Sequence, residues 1–198
     1  MTLWLKARAA PVVIASAAVS LVMLALPFTA LSATPSPAGA TVALAVLLAL
    51  VVPVVLGWGM TRTDRLLETA STRPIVLLDF ALALSVGGGV AVADVVLRLV
   101  GPAPTGLIAG RAAATFVGLL LVAVAAVGWR TASTVPVIYL VTVLVVGGGS
   151  DSAHPAAWAW IASPETDGGA IALAVLTLIF GSGAYLKRRG SLPIPHNE

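Results

Sequence analysis

The chain has no cysteine among its 198 residues. That excludes a disulfide, a thiolate nucleophile and a Cys-ligated metal, and it leaves the redox compartment unread. Histidine is nearly as scarce: the two, His154 and His196, fall in a loop and a tail, and no H-E-x-x-H pattern occurs. Charge is the third shortage. Only 10% of residues are charged against 59% hydrophobic, and the mean hydropathy is +1.06. A water-soluble domain of this length cannot bury so much apolar surface, so the bilayer must be its solvent. Strand-like alternation is missing too, which sets aside a barrel. What remains is an all-α integral membrane protein.

Catalytic motifs are also wanting. There is no G-x-x-x-x-G-K-[ST] loop for nucleotide phosphates and no S-x-x-K or G-x-S-x-G nucleophile. An enzyme is therefore not expected, nor a cofactor held in this chain. Gly147, Gly148 and Gly149 read as a helix end entering a loop rather than a phosphate nest. The net charge of +3 and the pI near 10.0 come from basic residues at the ends of apolar runs, with no basic face carrying interleaved aromatics. Nucleic acid is thus not an expected partner. Arginine outnumbers lysine among abundant Ala, Val, Leu and Gly, a bias that points to a GC-rich bacterial genome.

What is present is a set of apolar runs. A helix rises ~1.5 Å per residue, so about 20 residues cross the ~30 Å hydrocarbon layer. The runs predict six spans, at about residues 9–32, 41–58, 74–100, 107–127, 132–146 and 168–186. Trp4 and Lys6 suit the headgroup region, so residues 1–10 read as an interfacial entry. The first run exceeds the ~7–15-residue core of a signal peptide, so it is expected to stay as a span. Pro53 predicts a kink in the second. The third is longer than a bilayer needs, and Gly87–Gly89 in it allow either a close helix approach or a local break. Trp129, Arg130 and Thr131 read as a tight polar turn. Between the fifth and sixth runs, residues 150–167 form the longest polar connection. Its AAWAWIAS, with Trp158 and Trp160, is too short to span and suits an interfacial helix.

Residues 61–73, TRTDRLLETASTR, are the most charged segment between two apolar blocks. Thr61 and Thr63 can cap a short helix beginning near Asp64, in which Leu66, Leu67 and Ala70 share a flank and Glu68 points away. A charged loop that fixes topology through Arg62, Arg65 and Arg73 is the equal alternative. Basic residues gather before the first span and after the second, fourth and sixth, which places both termini and residues 61–73 in the cytoplasm and residues 150–167 outside. Arg98 and Arg111 are exceptions, falling near the outer side. Asp94 stands at i,i+4 to Arg98 and can shield it. Asp79 and Asp94 are the only acids inside a span, where an acid marks a proton relay or substrate route unless it is hydrated or paired. Asp79 lies close enough to Pro74 to be hydrated at the interface, and Asp94 has Arg98.

Taken together, the order of parts resembles the membrane subunit of ABC-2-type exporters, in a compact bacterial form. The resemblance is one of layout over the whole chain: an interfacial entry at residues 2–10, two spans, a coupling helix at 63–70, three spans, an outer insertion at 154–163 and a sixth span. HPAAWAW and the span ending GAYLKRRG are similar to the C-terminal end of such permeases. The resemblance implies ATP and Mg on a separate cytoplasmic ATP-binding subunit, a second membrane subunit, and a place in the cell membrane. It implies coupling through Arg62, Asp64, Arg65, Leu66 and Glu68, and an amphipathic or apolar substrate. The alternatives are a proton-coupled secondary transporter using Asp79 or Asp94, and a non-transporting accessory membrane protein.

Overall fold

A computed structural model describes residues 10–25, 37–61, 75–100, 108–146, 157–163 and 167–190. The described residues are almost entirely helical, with no strand among them. Among the described residues six helices follow one another: α1 (Ala10–Ala25), α2 (Pro37–Thr61), α3 (Ile75–Val100), α4 (Ile108–Val127), α5 (Trp129–Val146) and α6 (Gly168–Gly190). A six-residue 3-10 segment, Ala157–Ala162, lies between α5 and α6. Helices α3 to α6 are long and apolar enough to cross a membrane, and α1 and α2 contain shorter apolar stretches, Ala10–Ser20 and Val46–Thr61. The chain is a multi-pass helical membrane protein.

Helix α4 is the axis. Of its apolar stretch 83% is buried, against 33% for α3 and 22% for α5 and α6, and it packs on α2, α3, α5 and α6. Leu, Val, Ile and Phe on the other helices are left facing outward, as lipid solvent permits. Small residues explain how α4 is surrounded so closely. Apolar side chains gain little from leaving lipid, so close backbone packing has to hold the helices. At Gly118 a Cβ would lie 2.7 Å from the Thr177 backbone of α6, and at Gly181 one would run into the Gly118 carbonyl. The α6 stripe Ala170, Ala174, Gly181, Tyr185 is buried at helical spacing.

Helix α3 presents a similar stripe. Asp79, Ala83, Val86, Gly87, Val90 and Asp94 recur every three or four residues and are all buried. Gly87 is a close-approach glycine, since a Cβ there would meet Val117 Cγ2 at 2.8 Å, and α3 runs unbroken through Gly87–Gly89. Pro53 likewise sits inside α2 without ending it.

One expectation is corrected here. Trp129, Arg130 and Thr131 are not a polar turn between helices: they are the first helical turn of α5. The turn is made by Gly128 alone, at φ 85°, a left-handed conformation that a side chain disfavours. Its N–H bonds to the Val124 carbonyl at 3.0 Å, so α4 stops and α5 starts without a connecting loop. Thr61 ends α2, its Oγ1 donating back to the Trp58 carbonyl at 2.8 Å, and the helix expected to begin near Asp64 with Thr61 and Thr63 as caps lies outside the described residues. The proposed coupling residues Arg62, Asp64, Arg65, Leu66 and Glu68 lie outside the described residues, as does Trp4.

Candidate functional site

Every helix opens with N–H groups that have no partner in the helix itself. In α4 one of these, on Gly110, is met by another helix: it donates to Asp94 Oδ2 of α3 at 2.8 Å. The carboxylate sits at the positive end of the α4 dipole, where negative charge is favoured. Asp94 is 1% exposed, and the approach needs a glycine, since a Cβ on residue 110 would lie 3.0 Å from Asp94 Oδ2 and 3.1 Å from Ala91 Cα. Asp94 thus joins the end of α3 to the start of α4. Its i,i+4 neighbour Arg98 is on α3, with its side chain outside the description.

The next residue turns the other way. Arg111 is 5% exposed, and its Nη2 donates to the Ile161 carbonyl at 3.2 Å and to the Ser163 carbonyl. One turn on, buried Thr115 donates its hydroxyl to the Arg111 carbonyl at 2.9 Å and accepts from Trp160 Nε1 at 3.1 Å. From α5, Tyr139 donates its hydroxyl to the Trp158 carbonyl at 2.9 Å, and its ring lies 5.6 Å from that of Trp160. A 3-10 segment this short leaves carbonyls unsatisfied, and packed against protein they need donors. Arg111 and Tyr139 supply the missing donors. The segment is therefore clasped onto α4 and α5, with Ala159 and Ile161 fully buried.

The two tryptophans of this segment, expected as interfacial anchors, have different surroundings. Trp158, 39% exposed, is turned outward, but Trp160 is turned inward onto Thr115 and Tyr139. Beyond the segment, Asp167 Oδ1 caps α6 by accepting the N–H groups of Gly169 and Ala170 at 2.9 and 3.3 Å.

The opposite end of the bundle has a different character. Tyr185 of α6, 1% exposed, stacks on Phe80 at 6.1 Å and meets Trp129 edge-on at 6.0 Å. Asp79 precedes Phe80 and is 3% exposed, so it is enclosed by protein rather than hydrated at the interface. The two acids share a stripe of α3 but not a site. Fifteen residues separate them, roughly 22 Å at ~1.5 Å per residue.

No cluster of three or more possible metal ligands occurs among the described residues. What the clasped end does is mechanical: the Arg111 guanidinium and the Tyr139 hydroxyl hold the short segment against α4 and α5. Sequence reasoning left Arg111 as an unexplained charge and passed over Thr115, Tyr139 and Tyr185. Arg111 next to a glycine at the start of an apolar run was the available signal. The chain matches no protein-family model, and no curated protein or solved structure is significantly similar to it.

Proposed function

We propose that the chain is the membrane-spanning subunit of an ATP-driven exporter that moves an amphipathic or apolar substrate, with ATP hydrolysed by a separate subunit. The observation that carries the reading is the 3-10 segment between α5 and α6. It is too short to cross and is folded back onto α4 and α5, in the position where an ABC-2-type permease has its outer insertion. The apolar character of all six helices supports an amphipathic or apolar cargo. A second membrane subunit would complete the pathway, and Arg62, Asp64, Arg65, Leu66 and Glu68 would seat the ATPase on the cytoplasmic side.

The test is capture of a nucleotide-hydrolysing subunit by the protein in nanodiscs. Reversing charge with Arg65→Glu and Glu68→Arg is expected to weaken capture, since mismatched charge in a buried contact costs about 2–5 kcal/mol. Membrane insertion should be unchanged, because Arg62 and Arg73 still orient the chain. If wild type retains no such subunit, the reading fails. A second reading, proton-coupled transport, is favoured by the burial of Asp79 and Asp94 on one stripe of α3. In that case Asp79→Asn abolishes a measured proton flux while leaving the protein folded.

A further inference from the structure

We propose that the first turn of α4 is a latch, which couples the seating of α3 to closure of the Ala157–Ala162 segment. Two successive residues of that turn serve different partners. Gly110 donates its N–H to Asp94 Oδ2 of α3 at 2.8 Å. Arg111 donates from Nη2 to the Ile161 carbonyl at 3.2 Å and to the Ser163 carbonyl. One turn on, Thr115 braces the arrangement, donating to the Arg111 carbonyl at 2.9 Å while accepting from Trp160 Nε1 at 3.1 Å. A helical turn is stiff, because hydrogen bonds between successive turns fix its backbone. The end of α3 and the segment are thus tied to one rigid piece of α4, although they lie far apart in the sequence.

The two ties differ in tolerance. On the α3 side the fit is tight, since a Cβ on residue 110 would lie 3.1 Å from Ala91 Cα, and backbone cannot swing aside. A shift of α3 at its Asp94 end is therefore passed to the start of α4 rather than absorbed. On the segment side, 3.2 Å is already the long limit of an N–H···O bond, so a few tenths of an ångström more breaks it. The segment has little structure of its own to resist release. It is six residues of 3-10 helix, interrupted at Ala159 by a non-helical φ of −97° and ψ of 37°. Closed, it packs on α4, α5 and α6 together and roofs Thr115, which is fully buried. It is a discrete element that α3 and Arg111 both bias, which is what coupling between distant parts requires. The latch is a property of this packing and holds for either transport reading.

The experiment reads opening as the rate at which an impermeant maleimide labels Ala159→Cys, a buried position in a chain without cysteine, in nanodiscs. Gly110→Ala sets a methyl group against the Ala91 backbone and tips the first turn of α4, leaving the guanidinium and the segment unaltered. It is expected to raise the rate several-fold. Gly87→Ala strains the same pair of helices two turns away, where a Cβ would meet Val117 Cγ2 at 2.8 Å, and should leave the rate nearly unchanged. In an Arg111→Met background the tie to the segment is already cut, so Gly110→Ala should add nothing further. Where Gly110→Ala does not fold, Asp94→Asn replaces it: the amide oxygen still accepts from Gly110 but without charge, and the same comparisons apply. An unchanged rate in the folded variant overturns the latch. So does an equal rise in Gly87→Ala, which would mean that any loosening of the bundle frees the segment. A full further rise in the Arg111→Met background also overturns it, because the segment would then open by a route that bypasses Arg111.

Discussion

Gly118 and Gly88 are the same residue type in helices of one bundle, and their surroundings give them opposite value. A Cβ at Gly118 would sit 2.7 Å from the Thr177 backbone, which cannot swing aside as a side chain can. At Gly88 a Cβ would find nothing within 4 Å. Gly118→Ala is therefore expected to lower stability by about 1–3 kcal/mol through overpacking. Gly88→Ala should be neutral or raise it by up to about 1 kcal/mol, the helix-propensity gain. Thermal unfolding of both variants in one detergent checks this, and equal effects would refute the α4–α6 contact. Asp94 follows similar logic. Its carboxylate is held by a helix start and a glycine, so its burial is a feature of how α3 meets α4 rather than proof of a proton route.

At the scale of elements, the segment Ala157–Ala162 has little internal structure to keep it in place. Its position depends on side chains from α4 and α5 that answer its carbonyls. A hydrogen bond from a charged donor contributes about 1.5–3 kcal/mol, so Arg111→Met should raise the population of the open segment tenfold or more. A cysteine introduced at the fully buried Ala159 reports this directly. In an otherwise wild-type background it should react slowly with an impermeant maleimide, and in Arg111→Met at least tenfold faster. Tyr139→Phe should give a smaller rise, because a neutral donor is lost. If neither variant changes the rate, apolar packing of Ala159 and Ile161 holds the segment and the clasp is incidental.

The whole molecule is a bundle around one buried helix, and its orientation rests on loop charge. Arginines flank the α2–α3 connection, and the α6 end carries Lys187, Arg188 and Arg189, while residues 150–167 carry acids and no basic residue. The positive-inside rule then predicts that a cysteine at Ser71 is labelled by an impermeant reagent only after the inner face is opened, and a cysteine at Ala162 from outside intact cells. The reverse pattern would invert the molecule and leave its internal packing untouched.

Composition alone determined that this protein lives in a bilayer as helices, because so little charge and so much apolar surface permit no other solvent. The apolar runs at 74–100 and 107–127 coincide with α3 and α4 to within a residue, but the α4–α5 junction departs from the sequence pattern. There a single left-handed glycine replaced the polar turn that Trp129, Arg130 and Thr131 suggested, since one residue with φ 85° suffices to reverse the chain. The period of buried positions on α3 was legible in principle, since Asp79, Ala83, Val90 and Asp94 recur at helical spacing. Which residues those stripes meet was not. That Asp94 finds Gly110, Arg111 finds Ile161 and Ser163, and Gly118 finds Thr177 depends on helices far apart in sequence being pressed together. Hydropathy is a property of each residue with its solvent and is written along the chain. Partnership is a property of pairs, and only the packed bundle chooses the pairs.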